Sequence, residues 1–217
     1  MLTSFKYRDS GMEKVGFLKG KYRLRIWLAS IAIPLLLTTL NVLATEQDIY
    51  DPHEFFFTQS FGDMPEELQT AREQGKQGIL LFFEAEACPY CEAMHERVFN
   101  QKRVQDWYRE RFIIIAVDIH GDVEIKDFDG ITLPSKVFAE HRRVFMTPVL
   151  SFIDLNGTEI YRHLGMVKTP QEFLVMGEYI TDGHYFDTEY KVFAKKQDLQ
   201  FADETAVTSK EESSNQE

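Results

Sequence analysis

The chain has 217 residues and a formal net charge of −11, and this charge is distributed unevenly. Residues 1–44 contain seven Lys or Arg against two Asp or Glu, whereas the other 173 residues contain 17 basic and 33 acidic side chains, a net charge of −16. A hydrophobic content of 44% excludes a wholly disordered protein, and an acidic body of this length argues for one domain that does not bind nucleic acid.

The basic leader, residues 1–44, predicts export. An uncharged stretch from Ile26 to Ala44 follows four Lys or Arg, and Val42 and Ala44 suit the cleavage site of a secretory signal peptide. The alternative is an uncleaved anchor, because these 19 residues approach the ~20 that span a bilayer. In both cases the acidic body is expected in the periplasm, and the anchor would be its one association with the membrane.

Composition divides the exported body into three parts. Residues 45–64 form an irregular, phenylalanine-rich lead-in, in which Phe55 to Phe57 are expected to pack on the domain, with binding of a hydrophobic partner as the alternative. Residues 65–195 carry the patterned elements of the domain. Residues 196–217 form a polar, acidic tail that we expect to be disordered.

The first half of the domain predicts a parallel pair of buried strands. A helix that Asp63 caps precedes the continuous apolar run 79–83, which is typical of a strand covered on both faces. Helical spacing follows, interrupted near Asn100, a candidate cap for a second helical segment. The apolar run 112–117 predicts the next strand, and strand, helix and strand form a βαβ unit.

The second half predicts a loop, a helix and a hairpin. Residues 118–146 are expected to form a loop and then a helix with Pro134 near its start. Two short strands around Asn156 and Gly157 predict a β-hairpin, and a capping box beginning at Thr169 opens the last helix. The domain is therefore predicted to be of the α/β class.

Cys88-Pro89-Tyr90-Cys91, which contains both cysteines of the chain, lies between a predicted strand and a predicted helix. At a helix N-terminus the free N–H groups stabilise a thiolate and lower the pKa of a cysteine from about 8.5 to roughly 3.5–7.5. Cys88 is therefore the predicted nucleophile of disulfide exchange, and Cys91 the residue that resolves the mixed disulfide. Pro89 fits the first turn, where its missing N–H costs little.

Three other uses of the two cysteines compete with redox chemistry. A purely structural disulfide would close only a tiny loop. A structural zinc site needs four ligands, and the sequence has no second CxxC motif. A carrier that holds a soft metal such as Cu(I) between two thiolates is the third alternative.

Four segments follow one another within roughly residues 65–182: LLFFEAEACPYC, FIIIAVDI, Met146-Thr147-Pro148 leading into VLSFID, and NGTEI. Together they resemble the thioredoxin superfamily. FFEAEACPYCEAMHERVF and Asp127-Phe128-Asp129-Gly130 are similar, more narrowly, to periplasmic SoxW-type thioredoxins linked to sulfur oxidation. The resemblance implies a thioredoxin fold, with a central mixed β-sheet flanked by helices. It also implies a thiol-disulfide oxidoreductase that uses protein disulfides as substrates, a membrane thiol donor as electron source and no cofactor beyond its own disulfide.

The resemblance also implies roles for individual residues. Cys88 corresponds to the exposed attacking cysteine and Cys91 to the buried resolving one. Pro148 corresponds to a cis-proline that faces the disulfide, and the backbone of Thr147 to the position that pairs with an extended substrate. Tyr90 is expected either to shield Cys91 or to touch substrate. SoxW-type relatives favour the reductase direction, with an oxidase or isomerase as the alternative.

Two positions depart from ordinary thioredoxins, which carry a buried Asp six residues before the attacking cysteine and a Trp four residues before it. Here these positions are Phe82 and Glu84. Glu84 is interpreted either as a carboxylate that assists proton transfer from Cys91 or as a solvated or hydrogen-bonded acid. His95 is interpreted as a solvated surface histidine, with tuning of the thiolate as the alternative.

Overall fold

A computed structural model of the protein describes residues 50–197, and its centre is a four-stranded sheet in the order β2-β1-β5-β6. β1 runs parallel to β2 and antiparallel to β5, which in turn pairs antiparallel with β6. β3 and β4 form a separate two-stranded sheet. The strands are β1 (Gly78–Glu84), β2 (Phe112–Asp118), β3 (Glu124–Lys126), β4 (Thr132–Pro134), β5 (Val149–Asp154) and β6 (Glu159–Leu164).

Helices cover both faces of the sheet. They are α1 (Pro52–Phe55), α2 (Met64–Glu73), α3 (Pro89–Met94), α4 (Lys102–Arg111), α5 (Ser135–His141) and α6 (Pro170–Thr181). A π-helical turn, His95–Phe99, continues α3, and a 3₁₀ turn, His184–Phe186, precedes helical residues 190–197. None of the helices between residues 50 and 197 has both the length and the apolar character that crossing a bilayer requires.

Successive side chains of a strand point to opposite faces of the sheet, so each central strand contributes side chains to the core on both faces. In β1, Leu80 and Phe82 pack into one core cluster, whereas Ile79, Leu81 and Phe83 pack into the other. β2 and β5 alternate between the two clusters in the same way. The mixed central sheet between two layers of helices confirms the predicted fold class.

Two of the three helix caps that the sequence predicts are confirmed. Asp63 accepts a hydrogen bond from the N–H of Glu66 at 3.1 Å, and Thr169 accepts one from the N–H of Glu172 at 3.1 Å. The prediction for Asn100 is wrong, because its side-chain amide donates backwards to the carbonyl of Glu96. The π-helical turn ends there and leaves this carbonyl to be satisfied, and α4 begins after Gln101 without a side-chain cap.

Two segments are more regular than predicted. The loop expected after residue 118 contains β3 and β4, whose three residues each are too few to show an alternating pattern. The lead-in contains the short helix α1, and its Phe56 and Phe57 are buried in the core, whereas Phe61 is fully exposed. The predicted leader, residues 1–44, and nearly all of the predicted acidic tail lie outside the described residues.

Candidate active site

Cys88 and Cys91 are joined by a disulfide immediately after β1, with their Cα atoms 5.2 Å apart. Cys88 is the N-cap residue of α3, and its Sγ accepts a hydrogen bond from the N–H of Cys91 at 3.1 Å. Cys88 is 9% exposed and Cys91 is 2% exposed, so Cys88 is the more accessible of the two. After reduction, the same N–H and the N-terminus of the helix would stabilise a thiolate on Cys88.

Pro89 and Tyr90 lie between the cysteines at the start of α3. Pro89 occupies the first helical position, where no backbone hydrogen bond is lost. Cys91 is buried, whereas Tyr90 is 63% exposed. The tyrosine ring is therefore available to a molecule that approaches the disulfide.

The Thr147-Pro148 peptide bond is cis, as the resemblance implies. Pro148 directly precedes β5, whose first residue, Val149, pairs with Phe83 near the end of β1. The buried proline therefore lies at the same edge of the sheet as the cysteine motif that follows β1. Two apolar side chains before it, Phe145 and Met146, are largely exposed at this edge.

Glu84 and His95 form a hydrogen-bonded pair, with 2.7 Å between Oε2 and Nε2. Their side chains are only 22% and 14% exposed, respectively. The interpretation of His95 as a solvated surface histidine is therefore wrong: its ring lies within about 6 Å, centroid to centroid, of Phe57, Phe82 and Phe99. The hydrogen bond between Glu84 and His95 is compatible with both interpretations of Glu84, and its role stays a prediction.

His53 belongs to the same group, although no sequence pattern pointed to it. Its ring stacks on that of His95, with centroids 4.8 Å apart and an interplanar angle of 18°. His53 lies on α1, and Asp51 before this helix accepts a hydrogen bond from the N–H of His53 at 2.9 Å. Only the packing of the lead-in against the domain brings the two histidines together.

A cavity of about 540 Å³ lies beside the disulfide. It brings together both cysteines, the Glu84–His95 pair and His53, and its other lining residues are Ala85, Glu86, Glu92 and Asp118. Within residues 50–197, no group of three or more His, Cys, Asp or Glu side chains is arranged to hold a metal ion. Phe82, at the position of the usual buried acid, is fully buried in the aromatic core.

Comparisons with known proteins agree with this architecture. The family described as "Thioredoxin-like domain" matches residues 64–181, more than half of the chain. Among solved structures, a thioredoxin-fold protein from Helicobacter pylori is 24% identical over 76% of this chain and 96% of its own, with a TM-score of 0.49. A thioredoxin from Thermus thermophilus is 26% identical over 58% and 94%, with a TM-score of 0.41.

The C-terminal domain of DsbD from Neisseria meningitidis, in its oxidised form, is a further similar structure. It is 20% identical over 52% of this chain and 89% of its own, with a TM-score of 0.39. The comparison with curated proteins gave no match. The family match therefore carries the assignment.

Proposed function

Because this chain belongs to the thioredoxin-like domain family, we propose that it is an exported thiol-disulfide oxidoreductase that acts on protein disulfides through Cys88 and Cys91. The observation that carries the proposal is the position of Cys88 at the N-cap of α3, with the N–H of Cys91 donating to its sulfur at 3.1 Å. A thiolate at this position is the nucleophile that disulfide exchange needs.

The reaction proceeds in two steps in the reductase direction. The Cys88 thiolate attacks a substrate disulfide, a mixed disulfide forms, and the first substrate sulfur leaves as a thiolate that takes up a proton. Cys91 then loses its proton and attacks the sulfur of Cys88, which releases the second substrate sulfur. Two electrons pass from the dithiol to the substrate, and the protein is left with the Cys88–Cys91 disulfide.

The edge of the sheet around the cis-proline supports binding of an extended polypeptide. Thr147 lies next to Pro148 at the start of β5, and its backbone offers a position for pairing with a substrate segment. The exposed side chains of Tyr90, Phe145 and Met146 add apolar surface for the substrate. No further cofactor enters this reaction, because the disulfide itself carries the electrons.

The direction and the compartment are also part of the proposal. The resemblance to SoxW-type thioredoxins supports a reductase whose disulfide is re-reduced by a membrane thiol donor. The basic leader supports export to the periplasm, by a cleaved signal or with an anchor. A reduction potential toward the roughly −270 mV end of the superfamily is expected, whereas one near −120 mV would identify an oxidase and overturn the direction.

A trapping experiment tests the proposal. In cells that produce the full chain, Cys91→Ala should accumulate mixed disulfides between Cys88 and exported proteins, visible as dithiothreitol-sensitive bands on non-reducing gels. Cys88→Ala is the matched control and should accumulate none, because the attacking sulfur is absent. Equal trapping by the two variants would reverse the assigned roles, and no trapping by either would contradict the proposed activity.

A further inference from the structure

We propose that a cavity at the end of α5 binds a doubly charged tetrahedral oxyanion, a phosphate or sulfate group, between Arg142, Arg143 and Arg162. The inference does not rest on the proposed function, because it concerns the face of the sheet opposite to the disulfide. Three observations carry it: an excess of positive charge around the cavity, guanidinium groups that are held in place with donors left over, and an arginine at a backbone position that favours glycine.

The cavity has a volume of about 400 Å³ and lies between the end of α5 and strand β6. Its lining residues are His141, Arg142, Arg143, Glu159 and Arg162. Arg162 pairs with Ser151 of β5, and paired residues point to the same face of a sheet. Ser151 lies midway between Val149 and Ile153, which both belong to the core cluster without the cysteines. The cavity is therefore on the face of the sheet that does not carry the disulfide.

Positive charge is in excess around this cavity, although the chain as a whole has a net charge of −11. Three arginines face two carboxylates, those of Glu159 in the wall and of Asp127 behind Arg142. Glu159 is already occupied: its two oxygens accept from Arg162 at 2.9 and 2.7 Å, and one of them also accepts from Ser151 at 2.6 Å. One guanidinium charge is thus left without a carboxylate, and an anion in the cavity would supply its counter-charge.

Arg142 is a largely buried cation with unpaired donors. Its guanidinium lies over the rings of Phe128 and Phe138, 4.7 and 5.6 Å from their centroids, and its side chain is 19% exposed. Its Nε and Nη2 are buried and, among the described residues, have no hydrogen-bond partner, and the Asp127 carboxylate is 3.8 Å from Nη2. Such a cation is costly to bury, and an anion beside it lowers that cost. The motif 127–130, one basis of the resemblance to SoxW-type thioredoxins, therefore contacts this arginine.

Arg162 is fixed in the cavity wall with part of its guanidinium left over. Its Nε and Nη2 donate to Glu159, and Nη2 also donates to the backbone carbonyl of Arg142 at 2.8 Å. Within residues 50–197, its Nη1 has no hydrogen-bond partner. A guanidinium that is already oriented loses little freedom when it binds an oxyanion. Three such groups around one cavity suit a ligand with more acceptor oxygens than the two of a carboxylate.

Arg143 occupies a backbone position that favours glycine. It follows the C-cap of α5 and has a φ of 56°, in the left-handed region. Its N–H donates to the carbonyl of Glu140 at 2.8 Å, and the N–H of Val144 donates to that of Ala139 at 2.9 Å, which completes a Schellman motif. Glycine is usual at this position because a side chain is strained there. Strain of this kind persists where the side chain has a use, and the exposed side chain of Arg143 lines the cavity.

Calorimetric titration of the full chain at constant ionic strength tests the proposal, with inorganic phosphate, inorganic sulfate and acetate as probes. Phosphate and sulfate should each bind saturably at one site. Acetate should bind at least ~10-fold more weakly, because one carboxylate has too few acceptors for three guanidinium groups. Glycerol phosphate distinguishes the sources of the ligand: if it binds more tightly than inorganic phosphate, the site takes a phosphoryl group of a larger molecule, and otherwise it takes the free ion. Either result supports the site.

Arg143→Gly separates binding from folding. Glycine relieves the left-handed strain, so this variant should melt at a higher temperature than the unmodified protein in buffer without phosphate or sulfate. It should nevertheless bind phosphate ~10-fold or more weakly, because it lacks a charge-assisted hydrogen bond. Arg103→Gln, which removes the same charge from an exposed position of α4, is the matched control and should bind phosphate as the unmodified protein does.

Arg162→Lys gives a second readout, because lysine keeps the positive charge but loses the planar fork, and it should weaken phosphate binding severalfold. The proposal is overturned if phosphate and sulfate show no saturable binding, or if acetate binds as tightly as phosphate. It is overturned equally if Arg143→Gly binds phosphate as tightly as the unmodified protein, or if Arg103→Gln loses as much affinity as Arg143→Gly does.

Discussion

The two faces of the central sheet are built from the same strands but from different kinds of side chain. The redox face is the core cluster that contains both cysteines, and the scaffold face is the cluster between the sheet, α2 and α5. Ten of the 23 buried residues of the redox face are aromatic, against two of 15 on the scaffold face. The difference indicates that one face positions a site while the other supplies mainly apolar burial.

Aromatic rings suit a positioning role because they are rigid and make contacts of defined geometry. Phe99 shows this on the redox face, where its ring lies 4.6 Å from that of Phe56, 5.0 Å from that of Phe82 and 5.6 Å from that of His95. On the scaffold face, aliphatic residues such as Ile79 and Ile113 predominate. Rigidity next to the cavity keeps the Glu84–His95 pair in place.

The largest expected effect comes from truncating one ring on each face. Phe99→Ala and Phe138→Ala should each lower the free energy of unfolding by about 3–5 kcal/mol, because both side chains are fully buried. Only Phe99→Ala should also slow disulfide exchange, since Phe99 contacts His95, which lines the cavity beside the disulfide. Urea unfolding measures the first quantity, and stopped-flow exchange on the folded protein measures the second.

Leucine substitutions at the same two positions are the controls. Phe99→Leu and Phe138→Leu retain most of the buried volume and should lose less stability than the alanine variants. If Phe138→Ala slows disulfide exchange as much as Phe99→Ala does, the different roles assigned to the two faces are wrong.

A smaller effect is expected where two helices of the redox face approach each other. A Cβ added at Gly177 of α6 would lie too close to the ring of Trp107 on α4, so the ring or one of the helices must shift. Gly177→Ala should therefore lower the free energy of unfolding by about 1–3 kcal/mol, even though alanine is the better helix former. Urea unfolding measures the loss.

The double variant Gly177→Ala with Trp107→Leu sharpens this prediction. Leucine removes the ring atoms that the new methyl group would strike, so the two substitutions should be less damaging together than the sum of their separate losses. Strict additivity would mean that the contact between these helices is not what makes glycine necessary.

Much of the fold could be predicted from local patterns. The apolar runs 79–83 and 112–117 are continuous because both faces of the sheet are covered, and such runs are hard to form in any other way over so short a length. β3 and β4 could not be predicted, since three residues show no period. The π-helical turn could not be predicted either, because the helical spacing from Cys91 to Phe99 gives no sign of its wider hydrogen bonding.

The candidate site divides in the same way. The cysteine motif was visible because its chemistry needs a strand-to-helix junction, which local sequence reveals. The hydrogen bond between Glu84 and His95 could not be predicted, because His95 was interpreted without the lead-in that covers it. A signal did exist: His95 lies four residues after the buried Cys91 and four before the buried Phe99, which places it on an inward face. His53 gave no such signal, since only tertiary packing relates it to His95.

The smallest expected effect concerns His163, at the edge of the redox face. It pairs with Leu150 across β5 and β6, and its ring lies 6.3 Å from that of Tyr190. Burial lowers the pKa of His163 below its ordinary value of 6.5, and the nearby charge of Glu172 opposes this only in part. The folded protein thus binds this proton more weakly than the unfolded chain does.

The unfolded chain therefore gains protons first as the pH falls through 6.5, and stability falls with it until His163 is protonated in the folded protein as well. His163→Gln should flatten the decline of the melting temperature between about pH 7.5 and 5, because glutamine does not titrate. His141→Gln, at an exposed position at the end of α5, should leave that decline unchanged. Parallel melting curves for the unmodified protein and His163→Gln would show that the cost of burying this histidine is offset elsewhere on the redox face.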